Sequence, residues 1–111
     1  MLTQGQVERE LARLVEESED AALEIAALAE AAARAEVAYK VANAKALLRS
    51  EGTVDVRKAQ AIIMTEAEYL EHKIADAKLL AGQEKARTIR ASMDALRSVN
   101  ATVRHAVGAD W

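Results

Sequence analysis

The sequence predicts an all-α fold: a long antiparallel helical hairpin, coiled-coil-like, that self-associates into a helical bundle or ring. Three observations predict it. The chain contains no proline, and its one mid-chain turn signal, Ser50-Glu51-Gly52-Thr53, stands between two long helix-forming runs. Apolar residues recur along both runs in alternating steps of four and three, the 3.5-residue period of a coiled coil. Hydrophobic residues make up 51% of the chain, but alanine is the largest contributor and aromatics reach only 3%. Alanine favours helix strongly and contributes little buried area, so the helices are better specified than any deep core. Self-association is the expected remedy for the apolar surface a two-helix hairpin leaves uncovered.

The expected organisation is one domain: a helix over about residues 3–50, a turn at 51–53 and a second helix over about 54–107. Thr3 supplies a side-chain oxygen to cap the first free amides. From there the seam runs Val7, Leu11, Leu14, Ser18, Ala21, Ile25, Leu28, Ala32, Ala35, Tyr39, Ala42 and Ala46, with Ser18 its one polar intrusion. Gly52 is the natural left-handed residue beyond the helix end, and Arg49 suits the negative end of the helix dipole. Thr53 is placed to cap the second helix, with Asp55 in its first turn. That helix reads as two seams: Ile63, Ala67, Leu70, Ile74, Ala77 and Ala81, then Ile89, Met93, Leu96, Asn100, Val103 and Val107. Ala81 and Ile89 are eight apart rather than seven, so the seams are out of phase, and Gly82 is expected to mark a bend or a change of packing partner within a continuous helix. Gly108 is read as the fraying end. Tyr39 and Tyr69 are expected to face each other across the hairpin as core residues.

Several function classes are disfavoured. With no cysteine there is neither a disulfide framework nor a thiolate metal site, which permits a reducing cytosol. Residues 8–20 carry six acids and two arginines, so secretion and membrane spanning are not expected. The two histidines, His72 and His105, do not form the paired Glu-x-x-His signature of a di-iron bundle, and no glycine-rich phosphate loop is present. The expectation is a protein with no catalytic residues, no metal and no cofactor.

The formal net charge of −3 conceals a gradient: residues 1–36 hold nine acids against three bases, while residues 37–52 hold Lys40, Lys45 and Arg49 against Glu51. Near the C-terminus Arg90, Arg97 and Arg104 are spaced by seven and project along one side of the helix. Two readings of that row stay open. It is a coiled-coil flank paired with acids such as Glu8, Glu10 or Glu16, or it is a phosphate-tracking stripe extended by Lys85 and Arg87.

The stretch Met93-Asp94-Ala95-Leu96-Arg97-Ser98-Val99-Asn100-Ala101-Thr102-Val103-Arg104-His105 resembles the C-terminal helix of the phage recombination mediators, the UvsY-like family. Val37-Ala38-Tyr39-Lys40, leading through Lys45 and Arg49 to Gly52, is similar to the basic segment closing that family's first long helix. The two stretches cover about a third of the chain. The resemblance implies a non-catalytic accessory protein of phage recombination, a homo-oligomer in the cytoplasm of an infected host cell. Such a protein binds single-stranded DNA and helps a recombinase replace the single-strand binding protein. It implies DNA contacts at Lys40, Lys45 and Arg49, with Arg90, Arg97 and Arg104 as further candidates, and self-assembly through Met93, Leu96, Val99 and Val103, with His105 beside them. The family's close basic pair is not reproduced, because Ala42 stands two residues after Lys40. The alternatives are a structural coiled-coil assembly or adaptor protein with no DNA role, and a bundle that binds a partner helix.

Overall fold

Thr3 and Gln6 cap each other at the start of the first helix, α1 (Gln4–Arg49): the Gln6 amide donates to Thr3 Oγ1 at 3.2 Å and the Thr3 amide to Gln6 Oε1 at 2.8 Å. This reciprocal box satisfies two donors that a helix N-terminus leaves unpaired. The computed structural model describes residues 2–109, with side-chain surroundings as far as Ala106. Two further helices follow, α2 (Val54–Met64) and α3 (Glu66–Ala109), with no strand among the described residues. The fold is an all-α helical hairpin.

Local chemistry builds the turn. The Ser50 amide and hydroxyl both donate to the Ala46 carbonyl, at 3.0 and 2.7 Å, closing the end of α1. Gly52 takes φ +110°, a conformation an L side chain resists, and a Cβ there would lie 3.3 Å from Val56 Cγ1. Thr53 caps α2 by accepting from the Val56 amide, with Asp55 in the first turn. Arg57 then reaches back to donate from its guanidinium to the Leu47 carbonyl at 3.0 Å. That bond ties the two sides of the turn together and satisfies a carbonyl in the last turn of α1.

Between Met64 and Glu66 the helical path is broken at Thr65, where a continuous second helix is expected from the sequence. Thr65 Oγ1 donates to the Ala61 carbonyl at 2.7 Å, and the Thr65 amide donates to the same oxygen at 3.1 Å. A threonine bonded back to the carbonyl four residues earlier bends a helix, and Thr65 sits at φ −113°, ψ 19°. The Tyr69 amide still bonds the Thr65 carbonyl at 3.0 Å, so helical bonding resumes at once.

The described structure divides into two compact units, one made of α1 up to Ile25 with α3 from Gly82 onward, the other of Ala26–Ala81. In the first, Leu14, Ala21 and Ile89 form a buried cluster with Ala86, Met93 and Leu96 against it. In the second, the α1 partners step backward along the chain as α1 advances. Leu28 lies with Ile74 and Ala75, Tyr39 with Tyr69 and His72, and Ala46 with Thr65. The pairing is antiparallel. Tyr39 and Tyr69 meet edge to face, their ring centroids 5.3 Å apart, as the sequence leads one to expect, but only Tyr39 is half-buried; Tyr69 is exposed and is not the core residue expected.

All eleven apolar or tyrosine positions of the expected α1 seam are buried or half-buried, while Ser18 is exposed. The second seam differs from expectation. Ile63, Ala67, Leu70, Ile74, Ala77 and Ala81 are all exposed. The inward positions are Ala61, Thr65, Glu68, His72, Ala75, Leu79, Gly82, Ala86, Ile89, Met93, Leu96, Asn100 and Val103, an unbroken alternation of four and three. The inward seam therefore carries no phase slip, Gly82 is one of its buried residues and the helix runs through it as expected; the boundary between the two compact units falls at this glycine. α3 also runs through Gly108 to Ala109, while the side chain of Val107 lies outside the described residues.

Two stability outcomes follow from the turn and the seam. Gly52→Val places a branched side chain at a positive φ and against Val56, so denaturant unfolding should show a loss of about 1 kcal/mol or more. Leu14→Ala empties a buried position of the first unit and should cost about 2–4 kcal/mol, read by the same titration.

Candidate nucleic-acid interface

A straight helix turns by about 100° per residue, so residues four apart share a face and residues nine apart lie on opposite faces. Lys45 and Arg49 therefore project together, while Lys40 projects away from Arg49. The structure bears out the geometry. Lys45 and Arg49 line a groove of about 610 Å³ between α1 and the Met64–Glu68 bend, and Lys40 is absent from it. Lys40 instead holds Glu36 at 2.9 Å, an exposed pair one helical turn apart. The hydrogen bond from Lys40, then its charge, keeps the Glu36 carboxyl below the usual carboxylate range.

The groove is not uniformly basic. Glu68 lies on its α3 side, and Glu68 Oε2 is buried without a hydrogen-bond partner. Four residues on, His72 Nδ1 is also buried without one; Asp76 Oδ2 stands 3.7 Å from it, and the His72 ring stacks on Tyr39 with centroids 5.8 Å apart. Glu68 and His72 are thus a polar interruption of the inner seam. Among the described residues no group of three or more histidine, cysteine or acidic side chains is placed to hold a metal ion. No described helix is long and apolar enough to cross a membrane.

Arg90, Arg97 and Arg104 are all exposed, on one flank of the α3 seam. Arg97 donates to Asp94 Oδ1 at 3.3 Å, and neither Arg90 nor Arg104 has an acidic partner among the described residues. The candidate partners on α1 are not used: Glu10 is bound by Arg13, whose hydrogen bond lowers the Glu10 pKa. Arg87 is held by Glu84 within its own helix, and Lys85 crosses to Glu24 of α1 at 3.4 Å. These exposed pairs are screened by solvent and contribute too little to fix the hairpin. Arg90, Arg97 and Arg104 fall in one unit and Lys40, Lys45 and Arg49 in the other.

Of the four residues expected to drive self-assembly, three have another use. Met93 and Leu96 lie against the buried Leu14–Ala21–Ile89 cluster, and Val103 occupies the inward seam position beyond Asn100. All three are half-buried within the chain, so, contrary to what the sequence leads one to expect, the C-terminal seam is not wholly free for a partner. Val99 is 40% exposed and remains outward, as does His105.

Sequence reasoning passed over Lys73, whose ammonium sits 5.4 Å from the centre of the Tyr69 ring, a cation–π geometry. Tyr69, 46% exposed, combines with Tyr39, Ile62 and Glu66 to line a second groove of about 380 Å³. The i, i+4 spacing of a tyrosine and a lysine was the available signal.

No family model, curated protein or solved structure matches this chain.

The split between Lys40 and the Lys45/Arg49 pair has a measurable consequence. If a polyanion follows the groove face, Lys45→Ala with Arg49→Ala should weaken binding to a labelled oligonucleotide about tenfold or more at low salt. Lys40→Ala, whose ammonium already serves Glu36, should change it far less in the same anisotropy titration. An effect of Lys40→Ala as large as that of the pair would contradict this arrangement.

Proposed function

We propose that the protein is a non-catalytic accessory factor of phage recombination. In this reading it self-associates, holds single-stranded DNA along exposed cations and helps a recombinase load in place of the single-strand binding protein. Two features support the reading. One is the resemblance of residues 93–105 and of the Val37–Lys40 segment to the recombination mediators. The observation that carries it is the row Arg90, Arg97 and Arg104, exposed on one flank of α3, with Arg90 and Arg104 free of acidic partners among the described residues. Cations repeated every two helical turns suit a phosphate backbone and carry no base preference.

One chain supplies few contacts. The whole chain has 15 lysines and arginines against 18 acids, and many of those cations are already bound by neighbouring carboxylates. A monomer is therefore a weak ligand for DNA, and self-association multiplies the contacts on a single strand. The site of action in this reading is the cytoplasm of an infected cell.

A second reading has its own observation. Outward apolar residues repeat in heptads on α2 and α3, which favours a structural assembly or adaptor protein with no nucleic-acid role.

Fluorescence anisotropy with a labelled single strand across a salt series separates the two. For single strands the log–log salt slope is about −0.7 per phosphate neutralised, so removing three contacts should flatten it by about 2. Arg90→Ala, Arg97→Ala and Arg104→Ala combined should do this without changing the sedimentation of the DNA-free protein. No single-strand binding by the wild type at low salt leaves the structural reading in place.

A further inference from the structure

The residues expected to form the early seam of the second helix are not idle. Ile63, Ala67, Leu70, Ile74, Ala77 and Ala81 keep steps of four and three on the outward face, with Ile63 74% and Leu70 57% exposed. The second helical run therefore carries two heptad stripes, one turned to its own α1 and one turned outward. α1 carries an outward stripe as well: Val37, Val41, Ala44 and Leu48, in the same steps, with Leu48 83% exposed. A heptad repeat on an exposed face is the imprint of a helix that packs there.

We infer that each outward stripe is covered by a second copy of this chain, the α1 stripe of one protomer packing on the α2–α3 stripe of the next. This deepens the self-association on which the proposed function rests, and it names a different surface from the C-terminal seam.

The match between the stripes argues for a copy of the chain over another partner. Set a second hairpin alongside the first, in the same orientation and at the same level. Antiparallel pairing then places Val37 beside Ile74, Val41 beside Leu70, Ala44 beside Ala67 and Leu48 beside Ile63. Large residues meet large ones, and the alanines meet each other. Where the α1 stripe gives way to the Glu30–Arg34 ion pair, the facing stripe narrows to Ala77 and Ala81, leaving room for those longer side chains.

The flanks are mixed in charge: the α1 stripe is bordered by Lys40 and Lys45, and the facing half of the other stripe by Glu66, Glu71 and Lys73. A two-fold pairing of the α2–α3 stripe with itself would instead set Ile63 against Ala81 and repeat the same flanking charges.

Area agrees as well. The chain exposes 8181 Å², whereas a monomeric protein of 12.0 kDa is expected to expose about 6,000 Å². The excess of about 2,000 Å² is the size of a stable protein interface. Because two different surfaces meet, the contact is heterologous and builds a closed ring or an open array rather than an isolated dimer.

The test uses the full chain and sedimentation velocity. Val41→Asp with Leu48→Asp spoils only the α1 stripe, and Ile63→Asp with Leu70→Asp only the other. All four positions are exposed, and circular dichroism should report unchanged helix in both variants. Each variant alone should sediment as a monomer. Mixed, they should form a one-to-one dimer and nothing larger, since each retains the stripe the other lacks. Val41→Gln with Leu48→Gln, which adds no charge, should weaken wild-type association about tenfold or more. A monomeric wild type would overturn both this interface and the self-association beneath the proposed function. A wild-type assembly retained by either aspartate variant, or a mixture that stays monomeric, would overturn this interface alone.

Discussion

The phase of the heptad along α2 and α3 is the constraint on which the rest of this structure depends. From Ala61 to Leu79 the inward positions are poor: alanine, threonine, glutamate and histidine precede the first leucine. The outward positions over the same stretch hold Ile63, Leu70 and Ile74. Local hydrophobicity would turn the helix the other way. Beyond Gly82 the balance reverses, because Ile89, Met93 and Leu96 are the apolar side chains available to cover Leu14 and Ala21. α3 is a single helix from Glu66 to Ala109, and its inward positions keep steps of four and three on both sides of Gly82. The turn supports the same choice, since the Arg57 bond to the Leu47 carbonyl and the buried Ala61 and Thr65 fix which side of the bend faces α1. A helix held against its local preference conflicts with the expectation that each level of a sequence agrees with the fold. Such conflicts mark places where another interaction has a claim on the surface.

Much of this is legible in the sequence. Glycine chemistry at Gly52, the threonine caps and the α1 seam depend on local spacing and single-residue conformational preference, which sequence displays directly. The early seam of the second helix was misread because periodicity identifies a heptad face without saying which partner it faces. The break at Thr65 left no trace in the hydrophobic pattern, since a hydroxyl bonded back to a carbonyl acts on the backbone. Among the site residues, the arginine row followed from a spacing of seven and is found together and exposed. The grouping of Lys40 with Arg49 rested on nearness in sequence, and nine residues along a helix turn such neighbours apart. Met93, Leu96 and Val103 were recognised as a seam, but only the fold shows that all three are half-buried within the chain.

The two surfaces have separate chemistries. Apolar stripes on α1 and on α2–α3 are suited to other helices. The flank bearing Arg90, Arg97 and Arg104 is suited to an anion, because it lies beside the seam rather than on an apolar face. A protein with few aromatics and a net charge of −3 gains little from a single nucleic-acid contact, so in the proposed function assembly supplies the avidity that polyanion binding needs. The buried, unpartnered atoms of Glu68 and His72 lie where the inner seam is weakest, in the same unit as the outward stripes.

Thiol reactivity tests the phase most directly. The chain has no cysteine, so each introduced thiol is the sole reporter. Single cysteines placed in turn from residue 61 to residue 82, in the monomeric Val41→Asp, Leu48→Asp background, should label slowly at 61, 65, 68, 72, 75, 79 and 82. They should label rapidly at 63, 67, 70, 74, 77 and 81. The reverse pattern, with protection at 63, 70 and 74 in the monomer, would show that the apolar stripe faces α1 after all and would contradict this account.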